Sequence, residues 1–268
     1  MYNIPDNFYK AILSQHPDAQ NLRVPDVQGS LKNIFFADVD GKTYAFKFGQ
    51  PDLVKKNERI SALFKIRKIP CPDICAREFN DLYFEEYEVL PGISLFDAVK
   101  NGMSADKIRQ IYREILDNIE KMSHIPGRYV LGNDIAQAHK FAKSHVTNTN
   151  GPVLGQICMA LVYMLNLGDS KNKALFHSDI TPKNTIVSED GHLVGFVDID
   201  SVTTCDINYA FAMMAAKYIQ MGLDINDLFL YYQKISGKLL NQGRIRKMAD
   251  AINFAKTILW KRTGSRQK

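Results

Sequence analysis

Apolar positions follow two different periods along this chain, alternating early and recurring at helical spacing later. Asn33 to Asp38 (NIFFAD) and Thr43 to Phe48 (TYAFKF) are aromatic, β-prone runs, and Asp40-Gly41 between them marks a hairpin turn. Residues 54 to 67 then change period. Ile60, Leu63, Phe64 and Arg67 keep the three-to-four spacing of a helix that Pro70 and Pro72 end. A strand-like run, Leu82 to Leu90, leads into Pro91-Gly92, where we place a domain boundary. This makes the first third β-rich with one helix.

Beyond the boundary the period is mostly helical. Ser104 is a natural N-cap, and Ile108, Ile111, Tyr112, Ile115, Leu116, Ile119 and Met122 hold one face for over three turns. Thr147 to Gly151 reads as a loop tip and Val153 to Leu165 as an apolar helix. A small hairpin interrupts the helices, with strands at Thr185–Val187 and His192–Ile199 around a turn containing Asp190-Gly191. Three helical patterns, near 207–221, 225–236 and 244–260, complete the chain before a frayed tail.

Composition narrows the class. The 268 residues are 46% hydrophobic and 24% charged, enough for one or two domains with a sizeable core and unlike a disordered or disulfide-stapled chain. No apolar stretch reaches the roughly 18 residues a membrane span needs, and Met1 to Lys10 lacks the basic start and apolar block of a signal peptide, so the expected location is the cytoplasm. Cys71, Cys75, Cys158 and Cys205 are too scattered for a disulfide framework and read as reduced structural thiols. A net charge of +5 accommodates anionic ligands without demanding nucleic acid, and we expect neither a nucleic-acid nor a membrane partner.

The chemistry concentrates in Phe176 to Asp200 (FHSDITPKNTIVSEDGHLVGFVDID). His177, Asp179 and Asn184 form an H-x-D-x-x-x-x-N pattern, with Asp198 after the hairpin. Phosphoryl transfer needs a carboxylate for the proton of the attacking hydroxyl, and oxygen donors for the magnesium that offsets the phosphate charge. Singly, each of these residues is an ordinary turn former or cap; their joint order and spacing is the signal. In the first third, strand alternation puts Lys47 on the same face as small Ala45, which leaves room for a purine beside a phosphate-binding cation. Glu58, eleven residues on, could pair with Lys47 or be one exposed charge among Lys55, Lys56 and Arg59. Gly29 and Ser30 precede the hairpin where backbone N–H groups could cover phosphates.

These residues resemble the aminoglycoside phosphotransferase and choline kinase group, small-molecule kinases with a protein-kinase-like fold. The likeness runs from about Gly29 to the C-terminal helices and is most specific at His177 to Asn184 and Val197 to Asp200. It implies an α+β, bilobal protein-kinase-like fold: a small β-rich nucleotide-binding lobe, residues 1–88, and a larger, mainly helical catalytic and acceptor-binding lobe, residues 89–268. It further implies Asp179 as catalytic base, Asn184 and Asp198 as Mg²⁺ ligands, Lys47 on the α- and β-phosphates of ATP, and Glu58 as its ion-pair partner. His177 would brace the loop, the backbone of Glu88 and Leu90 would hold the base, and Tyr87 would stand at the gatekeeper position, which keeps GTP as a second option. Asp200 is either a further metal ligand or a structural acid.

Thr181 two residues after Asp179, Asp198-Ile199-Asp200, and the short run from Ser201 to the next helical pattern depart from protein kinases and favour a small-molecule hydroxyl as acceptor. From residue 201 onward there are four acids against eleven bases, a poor wall for a polycation. A neutral or anionic alcohol, a sugar, or a choline-like metabolite resting on Tyr231, Tyr232 or Trp260 fits better than an aminoglycoside. The alternatives are a divergent protein kinase and a nucleotide-binding module without catalysis. The sequence carries no reading of oligomeric state.

Overall fold

The hairpin marked by Asp40-Gly41 is the seed of the first sheet. In the computed structural model, which describes residues 4–25, 33–125, 173–221 and 224–263, strands β2 (Ile34–Val39) and β3 (Lys42–Gly49) pair antiparallel, Ile34 opposite Lys47 and Asp38 opposite Thr43. Asp40 (φ +49°) and Gly41 (φ +76°) are both left-handed, the backbone that matches a tight two-residue turn to the strand twist. Three more strands complete a five-stranded sheet in the order β1-β2-β3-β5-β4: β1 (Gln20–Arg23), β4 (Cys75–Phe79) and β5 (Leu82–Glu88). All its pairs are antiparallel.

Each face of that sheet has its own cover. Phe35, Ala37, Phe46, Phe48 and Phe84 project to one side and bury against Ala11 and Ile12 of helix α1 (Asp6–Gln15), and Phe8 stacks on Phe48 with ring centroids 4.0 Å apart. Helix α1 corrects the expectation of a single helix in the first third; its polar start, with Pro5 as N-cap and only a short apolar stripe, gives a weak periodic signal. Helix α2 (Pro51–Ile66) begins with Pro51 in its first turn and buries Val54, Asn57, Ile60, Ser61 and Phe64. It ends at Arg67, and Ser61 Oγ then donates to Pro72 O and accepts from Ile74 N, fixing the connection to β4.

The chain packs as two units, Met1–Ile93 with Ile186–Ser188 and Val194–Asp200, and Ser94–Thr185 with Glu189–Leu193 and Ser201–Lys268. In the first, Gly92 (φ +126°) lies where an added Cβ would come 2.3 Å from Val187 O, so only glycine fits beside strand β8 (Thr185–Val187). Strand β9 (Leu193–Phe196) forms the hairpin with β8, in a sheet ordered β6-β8-β9 with β6 at Ile93–Ser94. Phe196 N donates to Pro70 O at 3.0 Å, which ties β9 to the end of the α2 connection.

In the second unit, α3 (Leu95–Lys100) precedes α4 (Ala105–Ser123), whose N-cap Ser104 accepts from Lys107 N and whose buried row contains the seven apolar positions expected. Strand β7 (Lys173–His177) pairs with β10 (Val202–Asp206), with His177 opposite Val202. That ladder replaces the direct run into helix expected after Ser201, because the β-branched segment Val202-Thr203-Thr204 finds a partner strand 25 or more residues earlier. Helices α5 (Ile207–Gln220), α6 (Ile225–Ser236) and α7 (Gln242–Thr263) follow, α5 against α7 and α6 against α4. Glu114 of α4 accepts from Leu193 N at 2.6 Å and from His192 Nδ1 at 2.8 Å, which anchors the hairpin turn. The loop tip at Thr147–Gly151, the helix expected over Val153–Leu165, Cys158 and Gly29-Ser30 all lie outside the described residues. No helix among the described residues is long and apolar enough to cross a membrane.

Candidate active site

Within the first unit, strand register gathers the polar residues on the sheet face that α1 leaves uncovered. Ala45 stands opposite Tyr87 and Lys47 opposite Glu85 across the β3–β5 pair, and Ala76 of β4 lies opposite Glu85. Ala45 is fully buried and Tyr87 half-buried, so the face beside Lys47 is a small residue backed by a ring. The Lys47 ammonium, on a side chain 15% exposed, lies 2.7 Å from Asp198 Oδ1 and 2.8 Å from Asp200 Oδ2. Burial works against its charge, but the carboxylates of Asp200, Asp198 and Glu85 outweigh that and raise its pKa.

Asp200 is held from α2 as well: Asn57 Nδ2 donates to its carboxylate and Lys56 Nζ to its carbonyl oxygen at 3.2 Å. Asn57, fully buried, also donates to Glu85 Oε1 at 2.6 Å, while its own Oδ1 has no hydrogen-bond partner among the described residues. Glu85 is 3% exposed, and its pKa is pushed up to about 7. Burial is the main cause; Lys47 and the Asn57 hydrogen bond pull it down, and Asp200 and Asp198 push it further up. Asp198 itself is exposed and sits at φ +59°, a strained left-handed backbone for a residue with a Cβ, of the kind found where a side chain must be aimed.

The second unit carries the other acid. Asp179 follows β7 in a loop closed by Thr181 N donating to Asp179 O at 2.8 Å and Asn184 N to Thr181 O at 3.0 Å. Asn184 Nδ2 reaches back to Asp179 twice, to Oδ2 at 2.9 Å and to the carbonyl at 3.1 Å. His177, 2% exposed, accepts the Asp179 N–H on Nδ1 at 3.3 Å, and Ser178 donates through N and Oγ to Ser201 O. The Asp179 backbone is thereby held by His177 before it, and its carboxylate by Asn184 after it.

Not every expected residue lies where the sequence suggested. Glu58 is not brought to Lys47: its Oε1 accepts from Ala76 N at 2.9 Å on the outer edge of β4. Glu88 pairs with Lys42 at 2.7 Å through its side chain. Val89 N donates to Thr43 O, so strand alternation turns the backbone groups of Glu88 away from β3, and Leu90 lies beyond the end of β5. Asn57 and Glu85 escaped the sequence reading, although both carry a period signal: Asn57 shares the inward row with Ile60, Ser61 and Phe64, and Glu85 alternates with Tyr87. Of the rings considered for a cationic acceptor, Tyr232 is fully buried with its hydroxyl on Glu120, and Tyr231 donates to Asp117 under the Arg113 guanidinium. The side chain of Trp260 lies outside the described residues.

Known proteins agree with this architecture. The model of the phosphotransferase enzyme family matches residues 25–231. Among solved structures, aminoglycoside-3'-phosphotransferase of type VIII superposes with a TM-score of 0.69 at 12% identity, over 93% of this chain and 98% of that one. Aminoglycoside 2'-phosphotransferase-IIIa in its GDP complex gives 0.67 at 14% identity, over 99% and 93%. A thermostable mutant of aminoglycoside phosphotransferase APH(4)-Ia, in a ternary complex with ADP and hygromycin B, gives 0.65 at 13% identity, over 95% and 92%. These likenesses show the protein-kinase-like fold. No curated protein matches the chain by sequence.

Proposed function

We propose that this chain, which belongs to the phosphotransferase enzyme family, moves the γ-phosphoryl group of a nucleoside triphosphate, ATP with GTP as second option, to a hydroxyl of a small molecule. The observation that carries this reading is the Asp179 carboxylate fixed by the Asn184 amide on the loop that His177 braces. Asp179 orients the acceptor hydroxyl and takes its proton as that oxygen bonds to the γ-phosphorus and the bond to the β-phosphate oxygen breaks, releasing the nucleoside diphosphate. Lys47 binds the α- and β-phosphates, and Ala45 leaves room for the base.

The residues fit magnesium. Asp198 offers an exposed carboxylate on an aimed backbone, and Asn184, whose amide nitrogen faces Asp179, offers its oxygen. One or two protein oxygens plus phosphates are the usual Mg²⁺ set, and the ion, when bound, neutralises phosphate charge. Asp198 and Asn184 are its ligands on this reading. Asp200, held by Lys47, Asn57 and Lys56, orders the segment that carries Asp198.

For the acceptor we propose a neutral or anionic alcohol or sugar, or a choline-like metabolite. The support is the excess of eleven bases over four acids after residue 200. The test is ADP release over a panel of amino alcohols, sugars, nucleosides and aminoglycosides. Asp179→Asn should lower transfer by about 10²-fold or more while nucleotide affinity, measured by calorimetry, stays near wild type. Retained transfer refutes the base assignment, and preferential turnover of a polycationic aminoglycoside refutes the acceptor class.

A further inference from the structure

A lysine that binds phosphates must keep its ammonium in place when the surrounding carboxylates acquire other partners. On the reading above, Asp198 is drawn to magnesium, so a pairing of Lys47 with Asp198 belongs to the nucleotide-free arrangement only. Helix α2 supplies no replacement carboxylate. The helix side chains that reach this cluster are neutral Asn57 and cationic Lys56, neither of them a carboxylate, and Glu58 is committed to the β4 edge at Ala76 N.

The strand supplies one instead. Glu85 stands directly across from Lys47 in the β3–β5 register, on the same face, almost fully buried. Asn57 holds Glu85 Oε1 with one amide nitrogen that also binds Asp200, so the carboxylate has a fixed direction. Burying a carboxylate without a counter-ion is costly, and the cation opposite this one in the strand register, whose charge stabilises its ionised form, is Lys47. We infer that Glu85 is the positioning residue for Lys47: oriented by Asn57, it gives from strand β5 the counter-charge that the helix lacks. This rests on the phosphotransfer reading of the site and deepens it. Glu85 acts through Lys47 and takes no part in bond making.

The experiment is a double-mutant cycle on ADP release and on the KM for ATP, using Glu85→Gln, Lys47→Met and the pair, with melting temperatures alongside. Glu85→Gln should lower kcat by about tenfold or more with the KM for ATP within about threefold, and should melt at or above the wild-type temperature. In the Lys47→Met background the same substitution should cost less than about twofold, because the group it positions is gone. A further variant, Asn57→Glu combined with Glu85→Gln, moves the carboxylate from strand to helix and should recover much of the lost kcat. Full additivity in the cycle, or a Glu85→Gln enzyme with wild-type kcat, overturns the assignment while leaving the phosphotransfer reading intact. A wild-type protein that gives no thermal shift with ATP and Mg²⁺ and releases no ADP overturns that reading, and this assignment with it.

Discussion

Glu85 gives the sharpest quantitative test of the first unit, because its cost can be read without nucleotide or acceptor. Its folded pKa stands near 7 against an ordinary 4.5, so between these values the folded protein holds a proton that the unfolded chain has lost. Stability is therefore unpenalised below about pH 4.5, falls as pH rises through the window, and carries the full penalty above about pH 7. A shift of this size is worth about 3 kcal/mol, which we take as a ceiling because local rearrangement absorbs part of it. Gln mimics the protonated acid in shape and can still accept from Asn57. Glu85→Gln should thus match wild type near pH 4.5 and exceed it by about 1–3 kcal/mol at pH 8. Urea titrations of both proteins at pH 5, 6, 7 and 8, in metal-free buffer, measure the gap directly. A gap that stays constant with pH, or a variant less stable than wild type at pH 8, refutes the account of Glu85 as a buried acid held up by its neighbours.

Three further outcomes follow from the same geometry. Chelation of divalent metal should reduce phosphoryl transfer to background, with recovery on adding Mg²⁺ in a coupled ADP assay; transfer that persists in chelator removes Asp198 and Asn184 as metal ligands. Gly92→Ala places a Cβ at 2.3 Å from Val187 O on a backbone at φ +126°, and should lower stability by about 2 kcal/mol in a thermal melt, where an unchanged melting temperature would contradict the close approach. Phe46→Ala empties the centre of the aromatic cluster under α1 and should cost about 3–5 kcal/mol in denaturant unfolding, against less than about 1 kcal/mol for a substitution at exposed Leu239.

The sequence made the sheet hairpin and the helical core legible for a physical reason: each sits in a long run of one period with a strong stop. Asp40-Gly41 forces the turn, Pro51, Pro70 and Pro72 bracket α2, and the seven apolar positions of α4 permit one face only. The missed elements are short or depend on distant partners. Strands β1, β4, β7 and β10 have four or five residues each, and β10 acquires its structure by pairing with β7. The loop from His177 to Asn184 was readable because the hydrogen bonds that join Asp179 to His177 and Asn184 span only two to five residues. The environment of Lys47 was not, since Asp198 lies 151 residues away and Asp200 reaches α2 across 143.

The neighbouring positions 57 and 58 show how a one-residue error arises in such a reading. Charge type alone favours Glu58 as the partner of a lysine, whereas period favours Asn57, which is three, four and seven residues before Ile60, Ser61 and Phe64 on the buried row of α2. Successive helix positions are about 100° apart, and Glu58, one position on from Asn57, accepts from Ala76 N at the β4 edge instead. With the helix contributing a neutral amide and the Lys56 ammonium rather than a carboxylate, the first-unit site balances its charge differently. Lys47, with Lys56 Nζ on the Asp200 carbonyl, faces Asp198, Asp200 and Glu85, which leaves an excess of acid over base when all three acids are ionised. That excess accounts both for the upward push that Asp200 and Asp198 exert on Glu85 and for the strong retention of the Lys47 proton. On the proposed function, an acid cluster of this balance relaxes when a divalent ion takes Asp198, and Lys47 is then left between a fixed carboxylate on β5 and the phosphates that this reading gives it.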